Sequence, residues 1–259
     1  MTTTQKQADF IPANRRISVC AKRFYAALQF ISTEETRYYL NGVFIEPHKD
    51  GGVTMTATDG WTMACVRDKT ALFEGDGGWI CPVPKGPFTN ALKRKDAGTL
   101  HFVGSTAYLT DSLIGAAATD TEFDPTQITP LHNAIAYAKP IDGRYPDWRA
   151  VVPKDFNKQA EQMSFDVTLL DRFTKAITPL QDSKKHVGIN LVTPPDEQSP
   201  IVIRADLVPD FFGILMPRRA SSDQATIPYW MHLPAKQERK PKPANDAEAE
   251  LVKSGRSAA

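Results

Sequence analysis

A strand, a helix and three further strands follow one another three times along this chain, and that recurrence limits the fold more than any other feature of the sequence. In the first unit residues 17–20 alternate as a short strand. Residues 21–31 then set Phe24, Ala27, Leu28 and Ile31 on one face of a helix. Residues 38–46 and 53–58 are rich in β-formers. Asp59-Gly60 separates the second of these from residues 62–66, and an Asp-Gly pair between such runs is a strong signal for a tight hairpin.

The second unit reads the same way: a strand at 79–83, a helix at 87–95 with Pro87 in its first turn, and strands at 100–103, 107–110 and 134–139. Residues 112–133, broken by Pro125 and Pro130, are expected to form an insertion or long loop. The third unit has a strand at 164–167, a helix at 169–177, and strands at 186–192, 200–205 and 211–216. The repeat is one of pattern, not of residue identity. It predicts an α+β fold with few helices packed on antiparallel sheets.

Composition narrows the function classes. With 259 residues and 41% apolar content, the chain can fill one large domain or two modest ones. Lys and Arg total 31 against 30 Asp and Glu, for a net charge of +1, so any contact with nucleic acid must come from a local basic patch. Cys20, Cys65 and Cys81 are far apart, and His48, His101, His132, His186 and His232 are scattered. No metal site, cofactor or disulfide framework is expected, and a reducing cytoplasm suits the thiols. Residues 1–13 read as a polar leader without the apolar core of a signal peptide, and no run reaches the ~20 apolar residues of a membrane helix. Residues 221–259 bury little, and from residue 236 Lys, Glu, Pro, Ala and Ser dominate, so a largely disordered tail is expected there. Phosphate-loop, nucleophile-elbow, zincin and EF-hand spacings are all missing, which argues against catalysis. Asp59 is read as serving the hairpin turn.

Four segments in order carry a resemblance to a known family. They are Arg37-Tyr-Tyr-Leu-Asn-Gly42, Ala57-Thr-Asp-Gly-Trp61, Asp142-Gly-Arg-Tyr-Pro-Asp-Trp-Arg149 with the following Val-Val-Pro-Lys154, and Leu215-Met-Pro-Arg-Arg219. Spread over about 180 residues, they resemble the bacterial DNA sliding clamp, the β subunit of the replicative polymerase. The resemblance implies the DNA-clamp fold built of β-α-β-β-β half-units. Residues 14–154 resemble the family's middle domain and residues 155–220 half of its last domain, while its first domain has no counterpart. That departure puts the family's two-chain ring in doubt.

The resemblance also implies a groove for short peptides of polymerases and repair proteins, built here from Leu40, Thr58, Gly60, Met63, Pro146, Val151, Met216 and Pro217. Apolar, adaptable side chains suit an aromatic or leucine anchor. Taken singly, Leu40 and Val151 read as core; their convergence comes from the resemblance alone. Trp61, Thr62 and Ala150 depart from the family's basic or histidine choices, which implies a shifted peptide preference. If the helices line a channel for duplex DNA, Lys22, Arg23, Lys93, Arg94, Lys95 and Lys175 would meet phosphates without reading sequence.

The implied partners are duplex DNA, a DNA polymerase and other proteins carrying clamp-binding peptides, a clamp loader, and further copies of the chain. The implied function is that of a non-catalytic processivity factor. Two rivals stand beside it: a non-ring, phage- or plasmid-encoded adaptor that keeps the peptide groove without encircling DNA, and an enzyme on an unrelated α+β fold.

Overall fold

The computed structural model describes residues 16–83, 86–111, 132–154, 163–181, 188–194 and 196–219. All lie within one compact unit, Met1–Ala220; the other, Ser221–Ala259, lies outside them, as do the expected leader and nearly all of the expected insertion.

The first unit folds as β1 (Arg16–Cys20), α1 (Ala21–Leu28), β2 (Val43–Pro47), β3 (Val53–Thr58) and β4 (Thr62–Asp68). A short β5 (Leu72–Glu74), which the sequence pattern did not announce, follows and pairs with β1. The second unit contributes β6 (Trp79–Cys81), α2 (Pro87–Leu92), β7 (Ala97–Val103), β8 (Thr106–Asp111) and β9 (His132–Tyr137). The third contributes α3 (Leu170–Ile177), β10 (Ile189–Val192), β11 (Ile201–Ala205) and β12 (Val208–Leu215).

Three expectations are corrected. Residues 38–40 wind into a 3-10 turn, not a strand, with Leu40 N bonded to Arg37 O at 2.8 Å. The second helix stops at Leu92, so Lys93, Arg94 and Lys95 follow it. No strand forms at 164–167. There Asp166 accepts from Thr168 N at 2.9 Å and starts a 3-10 turn, leaving one backbone bond, Arg218 N to Ser164 O at 2.6 Å, where a ladder was expected.

The strands form two antiparallel sheets, ordered β5-β1-β7-β8-β9 and β10-β11-β12-β4-β3-β2-β6. The first two units exchange their leading strands: β1 lies beside β7, and β6 beside β2. Neither unit can therefore bury its apolar face without the other. The third unit joins through β12 against β4, with Phe211 opposite Val66 and Leu215 opposite Thr62.

Side-chain alternation sorts the larger sheet into two faces. Val53, Met55, Ala57, Ala64, Val66, Phe211 and Leu215 point into the core shared with the other sheet and the helices. Phe30, Phe173 of α3 and Phe211 form its aromatic centre, with ring centroids 4.9–6.4 Å apart. The opposite face holds Phe44, Ile80, Met63, Val202 and Ile214, and residues 141–152 lie across it as a strap. Tyr145 stacks on Phe44 at 4.7 Å, and Trp148 packs into both small clusters of that face. The strap explains why β3 is buried on both faces, which its own alternation does not indicate.

Candidate functional site

On this strap-covered face the β3–β4 hairpin, the 3-10 turn at Tyr38–Leu40, the strap and the end of β12 meet around a cavity of about 260 Å³. The hairpin is fixed by its own side chains. Asp59 Oδ1 accepts from Trp61 N (2.9 Å), Thr62 N (2.7 Å) and Thr62 Oγ1 (3.1 Å). Thr58 Oγ1 donates to Thr62 O at 2.7 Å and accepts from Gly60 N at 3.1 Å. Gly60 has φ +94°, which L side chains rarely adopt, and a Cβ there would stand 2.8 Å from Arg37 Nη1. The second Asp59 oxygen pairs with Arg172 of α3 at 2.7 Å, so the third unit holds the hairpin of the first. Met216 N donates to Trp61 O at 2.9 Å and carries the β12–β4 ladder one residue into the site.

The strap is anchored as firmly. Trp148 Nε1 donates to Glu46 Oε1 at 3.2 Å, and Arg149 lies 4.1 Å above the indole while pairing with the same carboxylate at 2.6 Å. Tyr145 is buried with its hydroxyl 3.5 Å from Thr56 O, and that burial pushes its pKa well above the usual phenol range. On the other wall Arg37 grips Glu34 through two bonds of 2.7 and 2.6 Å, which hold the Glu34 carboxyl below its ordinary range.

Seven of the eight residues expected in the groove line this cavity: Leu40, Thr58, Gly60, Met63, Pro146, Val151 and Met216. Pro217 does not; it follows Met216 just beyond the lining. Arg37, Tyr39, Trp61, Thr62, Asp147, Trp148 and Ile214 line it as well. Most of these sit inside the same sequence segments, so adjacency to the quoted motifs was the signal for them. The apolar floor of Met63 and Ile214 is almost wholly buried, while Trp61 (62% exposed) and Val151 (44%) form an open rim. Such an arrangement can enclose an apolar side chain.

The six basic residues expected at DNA are placed less uniformly. Arg23 donates to Asp210 at 3.1 Å and to Arg67 O. Arg94 is chelated by Asp96, and Lys175 pairs with Asp171 one turn away on α3. Lys22 is half-buried, and Lys93 and Lys95 are exposed. His101 is a core residue, 2.8 Å from Ser18 Oγ. Among the described residues no group of three or more His, Cys, Asp or Glu could hold a metal ion, and no helix is long and apolar enough to cross a membrane.

Two crossed-over units with helices on the inner face of antiparallel sheets, joined edge to edge with a third, define the fold of the DNA sliding clamps. Solved clamps superpose on this chain accordingly. The DNA polymerase sliding clamp of Pseudomonas aeruginosa, solved with a ligand, matches with a TM-score of 0.53 at 15% identity, over 85% of this chain and 69% of that one. The DNA polymerase III β subunit of Bartonella birtlesii, bound to griselimycin, matches with a TM-score of 0.50 at 19% identity, over 80% and 66%. In sequence, the chain is similar to the beta sliding clamps of two strains of Caulobacter vibrioides, 29% identical over 154 residues, which is 57% of this chain. It spans about a third (34%) of the length of those relatives. No protein-family model matches it.

Proposed function

We propose that this chain is a non-catalytic DNA polymerase processivity factor of the sliding-clamp kind, acting in the cytoplasm. In this reading its groove tethers a polymerase and other peptide-bearing proteins to duplex DNA, with a clamp loader and further copies of the chain as partners. Residues 14–154 serve as one clamp domain and residues 155–220 as half of another. The observation that carries the reading is the convergence of Leu40, Met63, Pro146, Val151 and Met216, far apart in sequence, on one apolar cavity.

The test is a fluorescence titration with a labelled peptide holding a glutamine followed by leucine and an aromatic. Met216→Ala removes apolar contact without burying a polar group, and should weaken binding by about 1–2 kcal/mol. Equal affinity for wild type and Met216→Ala would remove the groove assignment.

One observation favours a second reading. Arg23, Arg94 and Lys175, half of the expected DNA contacts, are already engaged by carboxylates. An adaptor that binds clamp-partner peptides without encircling DNA needs none of them. Oligomeric state separates the two, because a ring requires self-association and an adaptor does not.

A further inference from the structure

Trp148 lines a second cavity besides the groove, one of about 380 Å³ on the same face of the larger sheet. Its walls differ in kind. Three arginines line it, Arg67 on β4, Arg149 on the strap and Arg204 on β11, together with Phe212 and one acidic residue, Asp210. The register explains the grouping: Arg204 stands opposite Phe212, Phe212 opposite Cys65, and Arg67 follows Cys65 two residues on, on the same side of β4.

The charges there are not balanced from within. Glu46 is taken by Arg149, and Asp210 is shared by Arg23 (3.1 Å) and Lys69 (3.4 Å). Arg67 donates to the backbone oxygens of Val53 (2.9 Å) and Gly51, and Arg204 to that of Pro209 (3.1 Å). Among the described residues neither has a carboxylate partner. A guanidinium has five donors in a planar fork that matches a carboxylate, and most of those of Arg204 are left for a ligand.

We propose that this cavity is a second subsite, which takes an aspartate or glutamate side chain of the same peptide whose apolar anchor fills the groove. The inference rests on the groove reading above. The shared wall at Trp148 sets the two cavities side by side. Extended chain rises about 3.3 Å per residue, so an acid about two to four residues from the anchor crosses the indole and reaches Arg204. The recognition is electrostatic and partly open to solvent, so salt weakens it.

Three labelled peptides test this: the glutamine–leucine–aromatic anchor flanked by glutamines, and the same anchor with two glutamates on one flank or on the other. At low salt the wild-type chain should bind one acidic peptide about three- to tenfold more tightly than the neutral one. Arg204→Gln, whose side chain bonds only a backbone oxygen, should abolish that preference, keep the affinity for the neutral peptide, and melt as wild type does. Added salt should erase the preference in the wild type too. If the neutral peptide binds and neither acidic peptide gains, or if Arg204→Gln keeps the gain, the subsite is overturned while the groove stands. If the neutral peptide itself does not bind, the groove reading fails and the subsite with it.

Discussion

Asp59 does two jobs with its two oxygens, and both can be measured. One closes the hairpin under the cavity through three hydrogen bonds; the other is the ion-pair partner of Arg172. The side chain is only 11% exposed. Asp59→Ala therefore strands Arg172 and two backbone amides, at a cost of about 2–4 kcal/mol. Asp59→Asn keeps an acceptor for the hairpin and should lose less. Thermal melting ranks the two, and equal losses would show that the hairpin bonds contribute nothing. Asp210 gives a pH signature. Partial burial pushes its pKa up, but the hydrogen bond and charge of Arg23, with those of Lys69, outweigh burial and hold the carboxyl below its ordinary range. A depressed folded-state pKa contributes stability that is fully present above the unfolded value. That stability is lost as pH falls through the folded value, so the window lies below about pH 4. The stability gap between wild type and Asp210→Asn should shrink there; a gap constant from about pH 6 to pH 2 would contradict the linkage.

At the scale of elements, the joint between β12 and the first two units is set by Gly213. A Cβ there would lie 2.5 Å from Phe173 Cε1, and Phe173 is fully buried among Phe30 and Phe211. Gly213→Ala must push the α3 aromatic out of its place, and should cost about 1–3 kcal/mol. Because β12 ends in the cavity, the same variant should also weaken peptide binding; a variant as stable as wild type would mean that Phe173 yields freely. The helix that carries Phe173 was legible in the sequence as residues 169–177, and the hairpin at Asp59-Gly60 was legible from two residues. The failures have local causes. A capping aspartate, Asp166, turned a strand-like run into a 3-10 turn, and β5 is three residues long, too short to show alternation. The groove residues come from elements up to 176 positions apart (Leu40 to Met216), so no periodicity could have grouped them. The four-segment resemblance did; Trp148 and Arg37, which hold the walls, lie inside its segments but were not among the eight residues expected in the groove.

The whole molecule raises the question of assembly. In the processivity-factor reading copies of this chain associate around duplex DNA; in the adaptor reading they do not. Light scattering on the full chain should in the first case give a mass of several copies, whereas a strict monomer leaves the adaptor reading. DNA contact can be tested apart from ring closure. Lys93 and Lys95 follow α2, are exposed, and among the described residues carry no carboxylate partner, while Arg94 between them is held by Asp96. The double variant Lys93→Ala, Lys95→Ala should therefore account for most of the effect of replacing all three residues. Each phosphate neutralised releases counterions and adds about 0.9 to the slope of log affinity against log salt. Losing both lysines should lower that slope by about two and weaken association uniformly across sequences, with little change in melting temperature. Fluorescence anisotropy on a duplex across a salt series reads the slope directly. An unchanged slope takes these lysines out of the DNA contact, and together with a monomeric mass it would decide for the adaptor.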